Sequence, residues 1–278
     1  MKRSDTDNPE DEFIMRIKLK SICSVGLTLV MALALGGCVS FLEPKAKPAP
    51  PMDDATRAQL NLATGLMMEN EYTRALDELL KAKEASPRNA DVDNLLGLAY
   101  YGMKEYPLSV ESYQSALKID PKRTDVRNNL GMAYLVQREY DKALEEFNAC
   151  LKDLVYLKKH LPLSNIGLTY MEMGEYDKAL AALTRATEVT PDYAKSYQLI
   201  GRVHMIRNEC REALDYLNNA ARLNPDDAET FMTVGDAYVC IGNKEEAAAA
   251  YSRVTALVPN TNMAMEAQKR ARRVMGFE

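Results

Sequence analysis

Between Asn165 and Pro191 the apolar and small residues fall at Ile166, Gly167 and Tyr170, then at Tyr176, Ala179, Leu180, Leu183 and Ala186. This is helical spacing, broken once at Met173-Gly174. The pattern predicts two short helices meeting at a tight turn. Gly167 and Ala179 stand 12 residues apart, one on each helix, where small side chains let two backbones approach. Pro191 stops the second helix, because it has no amide donor and clashes with the preceding turn.

The same hairpin recurs along the chain. With Gly167 as origin, equivalent small residues are Ala63, Gly97, Gly131, Gly201 and Gly235, spaced by 34, 34, 36, 34 and 34 residues. Three positions on stand Leu66, Tyr100, Tyr134, Tyr170, His204 and Tyr238; twelve on stand Ala75, Ser109, Ala143, Ala179, Ala213 and Ala247. Twenty-four on stand Pro87, Pro121, Val155, Pro191, Pro225 and Pro259. A 34-residue period with this pattern resembles the tetratricopeptide repeat (TPR), which implies an all-α, right-handed superhelical solenoid. Six hairpins are expected over 56–261, at 56–89, 90–123, 124–159, 160–193, 194–227 and 228–261. Asn262–Phe277 reads as a capping helix within a closing segment 262–278. Ala264, Ala267, Ala271 and Val274 share its inner face, and Lys269, Arg270, Arg272 and Arg273 lie opposite.

The third hairpin departs from the others. Val155 replaces the proline, two residues are inserted, and the segment from Asp153 to Pro162 must form either a longer second helix or a wider turn. Pro107 follows Tyr106 in the first turn of a second helix, where proline is tolerated.

Ahead of the repeats, Ile22–Leu35 is an apolar run shorter than a membrane span, preceded by Arg16, Lys18 and Lys20. It ends in Leu35-Gly36-Gly37-Cys38, which resembles the bacterial lipobox. That resemblance implies a signal peptide over 1–37, with Cys38 becoming the acylated first residue. Palmitate-type chains on Cys38 would form a stable anchor. Val39, which is not aspartate, implies the periplasmic face of the outer membrane. Met1–Ile14 is acidic and unlike a signal's basic start, so Met15 is the expected first residue. Residues 38–55, rich in proline and charge from Phe41 to Pro51, read as an extended tether of about 50 Å.

Charge and composition then narrow the function. With 40 acidic against 35 basic residues the chain carries −5, and no basic face argues for nucleic acid. Two histidines in different hairpins, His160 and His204, offer neither a metal site nor a nucleophile partner, and His204 reads as a packing residue. The expectation is a non-catalytic protein without cofactor, metal or small-molecule substrate.

The solenoid resemblance implies that first helices line the concave surface. Inward positions lie at about −3, −2, +1 and +4 from each origin. They are Asn94, Leu95, Leu98 and Tyr101, then Asn128, Asn129, Met132 and Leu135, then Ser164, Asn165, Leu168 and Met171. This predicts an apolar groove rimmed by amides, suited to an extended or helical peptide, over a core of Leu96, Tyr100, Leu130, Tyr134, Ile166 and Tyr170. Hairpins five and six are more polar at Gln198, Arg202 and Asp236. The basic clamp by which chaperone-binding relatives hold a terminal carboxylate is absent. Asp91 and Asp125 stand near its early positions, with nothing basic at the inward positions of hairpins two and three.

Lipobox, six hairpins, helical cap and widened third repeat together resemble the type IV pilus biogenesis lipoproteins of the PilF/PilW type. These pilotins bind a secretin subunit and help it localise and assemble. The alternative is a general periplasmic scaffold lipoprotein docking cell-envelope or peptidoglycan enzymes. Once Cys23 and Cys38 are set aside, Cys150, Cys210 and Cys240 remain. Cys210 begins one helix and Cys240 ends its antiparallel neighbour, within reach of a disulfide. Position alone does not fix their Cβ directions, and buried free thiols are the default expectation. Cys150 reads as a buried thiol.

Overall fold

The structure, a computed structural model, describes residues 52–277. The expected signal peptide, Cys38 and most of the tether lie outside the described residues. Among these residues there are thirteen α-helices and no strand. They pair as α1 (Asp54–Met68) with α2 (Tyr72–Ala85), α3 (Ala90–Gly102) with α4 (Tyr106–Ile119), and α5 (Thr124–Val136) with α6 (Tyr140–Lys152). Then come α7 (His160–Glu172) with α8 (Tyr176–Val189), α9 (Ala194–Ile206) with α10 (Cys210–Leu223), and α11 (Ala228–Cys240) with α12 (Lys244–Leu257). The last helix is α13 (Asn262–Met275). Each helix packs on its chain neighbours, and first helices of successive pairs also touch, as in a solenoid.

The turn inside each pair uses one residue in the left-handed region, seven after the repeat origin. These are Asn70, Lys104, Arg138, Gly174, Asn208 and Gly242, with φ between 60° and 80°. Five of the second helices end two residues before the repeat proline, as at Ala85 before Pro87 and Val189 before Pro191. In α6, which has no such proline, Asp153 takes over as the C-cap. Its Oδ1 accepts the Val155 amide at 3.0 Å and its Oδ2 accepts the Thr124 hydroxyl. The third hairpin therefore resolves as a wider turn, not a longer helix.

The core is built by a residue that the four-position pattern leaves out. Sixteen positions after each origin stands a large apolar side chain: Leu79, Tyr113, Phe147, Leu183, Leu217 and Tyr251, all buried. A Cβ on Gly97, Gly131, Gly167, Gly201 or Gly235 would lie 2.4–2.6 Å from the nearest atom of that partner. The small residue of the first helix is thus the seat of the large residue of the second. Burying one such side chain stabilises the fold by roughly 1.5–3 kcal/mol. Leu96, Leu130, Tyr134 and Ile166 are buried, and Tyr100 and Tyr170 pack partly buried against the same clusters.

Helix α13 closes the stack. Thr261 caps its start, accepting the Ala264 amide at 3.2 Å, and Gly276 at φ 77° ends it. Ala264 and Ala267 are buried, with Ala271 and Val274 against Tyr251 and Val254. Arg270 does not belong to a solvated outer face. Its Nη1 lies 2.7 and 2.8 Å from the two Asp236 carboxylate oxygens, and its Nε 2.9 Å from Glu266.

Candidate functional site

The first helices α3, α5 and α7 carry the predicted amides, which form a ladder. Asn129 Nδ2 donates to Asn94 Oδ1 at 3.3 Å, and Asn165 Nδ2 donates to Asn128 Oδ1 at 3.0 Å. Each bond joins offset −2 of one repeat to offset −3 of the repeat before it. The ladder spans the two-residue insertion, because that insertion is absorbed in the turn ahead of α7. At the fourth repeat Ser164 takes offset −3, and its hydroxyl meets Ser196 at 2.8 Å. There the asparagine ladder ends.

Asn128, Asn129 and Asn165 are half-buried, and Asn94 is 8% exposed. The Oδ1 atoms of Asn129 and Asn165 accept no hydrogen bond from a described residue, so both remain available to a ligand. An amide offers donors and acceptors on one group, the combination a peptide backbone needs.

The apolar part of the expected groove divides in two. Leu95, Leu98, Tyr101, Met132 and Leu168 are half-buried and rest against the core clusters with part of each side chain outward. Leu135 and Met171, each 6% exposed, are core residues rather than groove residues. Stacking accounts for it: Leu135 shares a core cluster with Ile166 of α7, and Met171 shares one with Leu199 and Val203 of α9. Tyr101, at the same offset, keeps its place at the surface and meets Tyr106 edge-on at 5.5 Å.

Repeats five and six do not continue the asparagine ladder, and their polar inward residues are engaged. Gln198 is buried and donates to Asp227 at 3.0 Å, and Arg202 pairs with Glu229 at 3.5 Å. Asp236 is held by Arg270 and by the Tyr251 hydroxyl at 2.7 Å. Two arginines stand where hairpins two and three meet, but they are engaged. Arg123 bridges Asp91 and Asp125, and Arg127 pairs with Glu146. The Arg123 guanidinium holds the Asp125 carboxyl below the usual carboxylate range.

Both histidines are engaged by neighbouring side chains. The His204 ring stacks on Tyr216 with centroids 5.3 Å apart, and its Nδ1 lies 2.6 Å from Glu209. His160 Nδ1 lies 3.0 Å from the Thr190 hydroxyl, and the ring leans on Tyr193. Among the described residues no cluster of three or more His, Cys, Asp or Glu is placed to hold a metal ion.

Cys210 and Cys240 are joined by a disulfide, with Cα atoms 6.1 Å apart, where free thiols were the default expectation. The start of α10 lies beside the end of α11, and both Cβ vectors converge. Cys150 is a buried free thiol facing the Thr124 carbonyl at 3.4 Å, and burial pushes its pKa up to about 12.

Comparison with known families agrees with this architecture. A family described as "TPR repeat" matches residues 167–205, and one described as "Tetratricopeptide repeat" matches 94–153 and 199–262. The chain is a tetratricopeptide-repeat protein. No curated protein sequence matches it. Among solved structures, this tetratricopeptide-repeat chain is similar to PilW, a "widely conserved type IV pilus biogenesis factor". The TM-score is 0.67 and the identity 19%, over 77% of this chain and 98% of that one. It is similar to Pseudomonas aeruginosa pilF, with TM-score 0.63 and 21% identity over 79% and 99%. It is also similar to a tetratricopeptide repeat protein from Parabacteroides merdae, with TM-score 0.65 and 16% identity over 81% and 86%. At these identities the likeness is one of fold.

The four-position sequence pattern missed the ladder's pairing, the seat for residue +16 and the exposed turn after α6. The first was readable from asparagines recurring at −2 and −3, and the second from the row of large residues at +16. The third was readable from an apolar run where other repeats have proline and polar residues.

Proposed function

We propose that this chain is an outer-membrane lipoprotein, anchored through Cys38, that binds a secretin subunit and promotes its assembly in type IV pilus biogenesis. The observation that carries the binding reading is the half-exposed amide ladder of α3, α5 and α7 lying beside Leu98, Met132 and Leu168. The ladder offers unpaired acceptors in register with an apolar strip. An extended segment laid along it finds backbone partners and side-chain contacts together. The near-complete coverage of PilW and pilF favours the pilus setting, and the Leu35–Cys38 motif favours the anchor.

The test is secretin multimer formation in cells carrying variants. Leu98→Gln, Met132→Gln and Leu168→Gln keep side-chain volume roughly constant while adding polarity, and folding is followed by circular dichroism. Loss of multimers with folding intact is the expected result. Retained multimers in these variants, with loss in Arg202→Glu, would place the site in repeats five and six instead. For the anchor, Cys38→Ser is expected to release the protein from membranes and abolish labelling by an alkynyl fatty acid.

A further inference from the structure

The connection from α6 to α7 differs in chemistry from its counterparts. The other second-to-first-helix connections read Ser-Pro-Arg-Asn, Asp-Pro-Lys-Arg, Thr-Pro-Asp-Tyr, Asn-Pro-Asp-Asp and Val-Pro-Asn-Thr. This one reads Asp153-Leu154-Val155-Tyr156-Leu157-Lys158-Lys159. Leu154, Val155 and Leu157 are 87, 83 and 90% exposed, the three most exposed large apolar side chains among the described residues.

Their exposure is enforced by the fold around them. Asp153 holds the turn from both sides, accepting the Val155 amide and the Thr124 hydroxyl. Tyr156 points the other way, half-buried, and burial pushes its phenol up to about 12. With Tyr156 turned in and Asp153 capped, the three aliphatic side chains have no route back to the core.

Beside the carboxylates of Asp153 and Asp125, the charges flanking this tip in the chain are basic. Lys152 and Lys158 are exposed on either side of it, and neither forms an ion pair with a described residue. Lys159 follows. Three lysines against one aspartate give this segment a positive collar on a chain whose net charge is −5. An apolar tip flanked by lysines matches an anionic bilayer. Aliphatic groups enter the acyl boundary while the amines stay at the headgroups. We propose that residues 153–159 form a membrane-contacting loop that seats its apolar tip in an anionic lipid surface. This contact requires neither the Cys38 lipid nor a secretin, so it stands or falls apart from the reading above.

The chain contains no tryptophan, so one introduced residue is a sole reporter. Leu157→Trp in the full chain is mixed with vesicles of phosphatidylcholine and phosphatidylglycerol carrying brominated acyl chains. The expected result is a blue-shifted emission that the bromines quench, lost when phosphatidylglycerol is omitted. Lys152→Ala and Lys158→Ala in that background each weaken vesicle binding by about fivefold. Ile241→Trp, on a turn at the opposite end of the hairpins, remains unquenched. Water-like, unquenched emission from Leu157→Trp overturns the proposal. Equal quenching of Ile241→Trp overturns it too, because the chain would then be held by another segment. A blue shift that grows with protein concentration without vesicles also overturns it, in favour of a second copy covering the loop.

Discussion

Leu183 sits on Gly167 so closely that a Cβ at Gly167 would lie 2.5 Å from Leu183 Cγ and 3.3 Å from the Ala179 carbonyl oxygen. Neither atom is the free end of a flexible chain, so α7 and α8 would have to separate. Gly167→Ala is therefore expected to destabilise by about 1–3 kcal/mol, despite alanine's better helix propensity. Gly65 provides the opposite sign. It is exposed within α1, and a Cβ there meets nothing within 4 Å. Gly65→Ala should stabilise by about 0.5–1 kcal/mol. Thermal melts of the two variants should move in opposite directions, by a few degrees each. A Gly167→Ala protein as stable as the parent would remove the packing argument.

Lys104 and Arg138 hold left-handed turn positions that Gly174 and Gly242 hold in other repeats, with φ 65° and 61°. A side chain with a Cβ is disfavoured there by sterics, and glycine is not. Lys104→Gly and Arg138→Gly should each stabilise by several tenths to about 1 kcal/mol, less whatever glycine gains in the unfolded chain. Chemical denaturation midpoints check this. Lower midpoints in both variants would mean that the side chains contribute more than their backbone strain costs.

The repeat was legible because its period is written in residues with single physical jobs: prolines that stop helices and small residues at close crossings. The concave face was legible only in outline. Helical geometry places offsets −3, −2, +1 and +4 on one face, and Leu98, Met132 and Leu168 are half-buried against the core cluster. A single-helix projection does not show where the next repeat will stack. Such a projection therefore puts Leu135 and Met171 in the groove, whereas α7 and α9 bury them. The mutual bonds of the asparagines depend on the inter-repeat rotation, which no spacing states. The turn after α6 was visible as an irregularity. That its leucines point outward follows from the capping role of Asp153, a three-dimensional fact.

His160 gives the fold a pH response. Its ring is partly desolvated against Tyr193 at the start of α7, and burial holds its pKa below the usual imidazole range. A histidine with a lowered folded-state pKa binds fewer protons in the native than in the unfolded chain. Its contribution is therefore complete above the unfolded value of about 6.5 and is lost as pH falls through that value toward the folded one. Stability should decline from about pH 6.5 downward before carboxylates begin to titrate. His160→Gln should flatten that part of the curve and leave the region above pH 7 nearly unchanged in slope. Denaturation midpoints measured from pH 8 to pH 5 decide it. An identical decline in the variant would assign the effect to other groups.

The Cys210–Cys240 bond closes a loop of 30 residues between α10 and α11. In the chain-entropy description a loop of that length restricts the unfolded state by about 3–4 kcal/mol, and measured values for native disulfides run from about 2 to 5. Reduction should therefore lower the stability of the parent by about 2–4 kcal/mol. The Cys210→Ser/Cys240→Ser variant should be indifferent to reductant. Counting thiols separates the bond from mere proximity. Because Cys150 is buried and its thiol is held up near a pKa of about 12, it reacts only after unfolding. For the mature chain starting at Cys38, with that residue acylated, alkylation in denaturant should label one cysteine without prior reduction and three after it. Three labelled without reductant would mean that the bridge does not form. In that case stability should also be the same with and without reductant, so the two measurements must agree for the bond to stand.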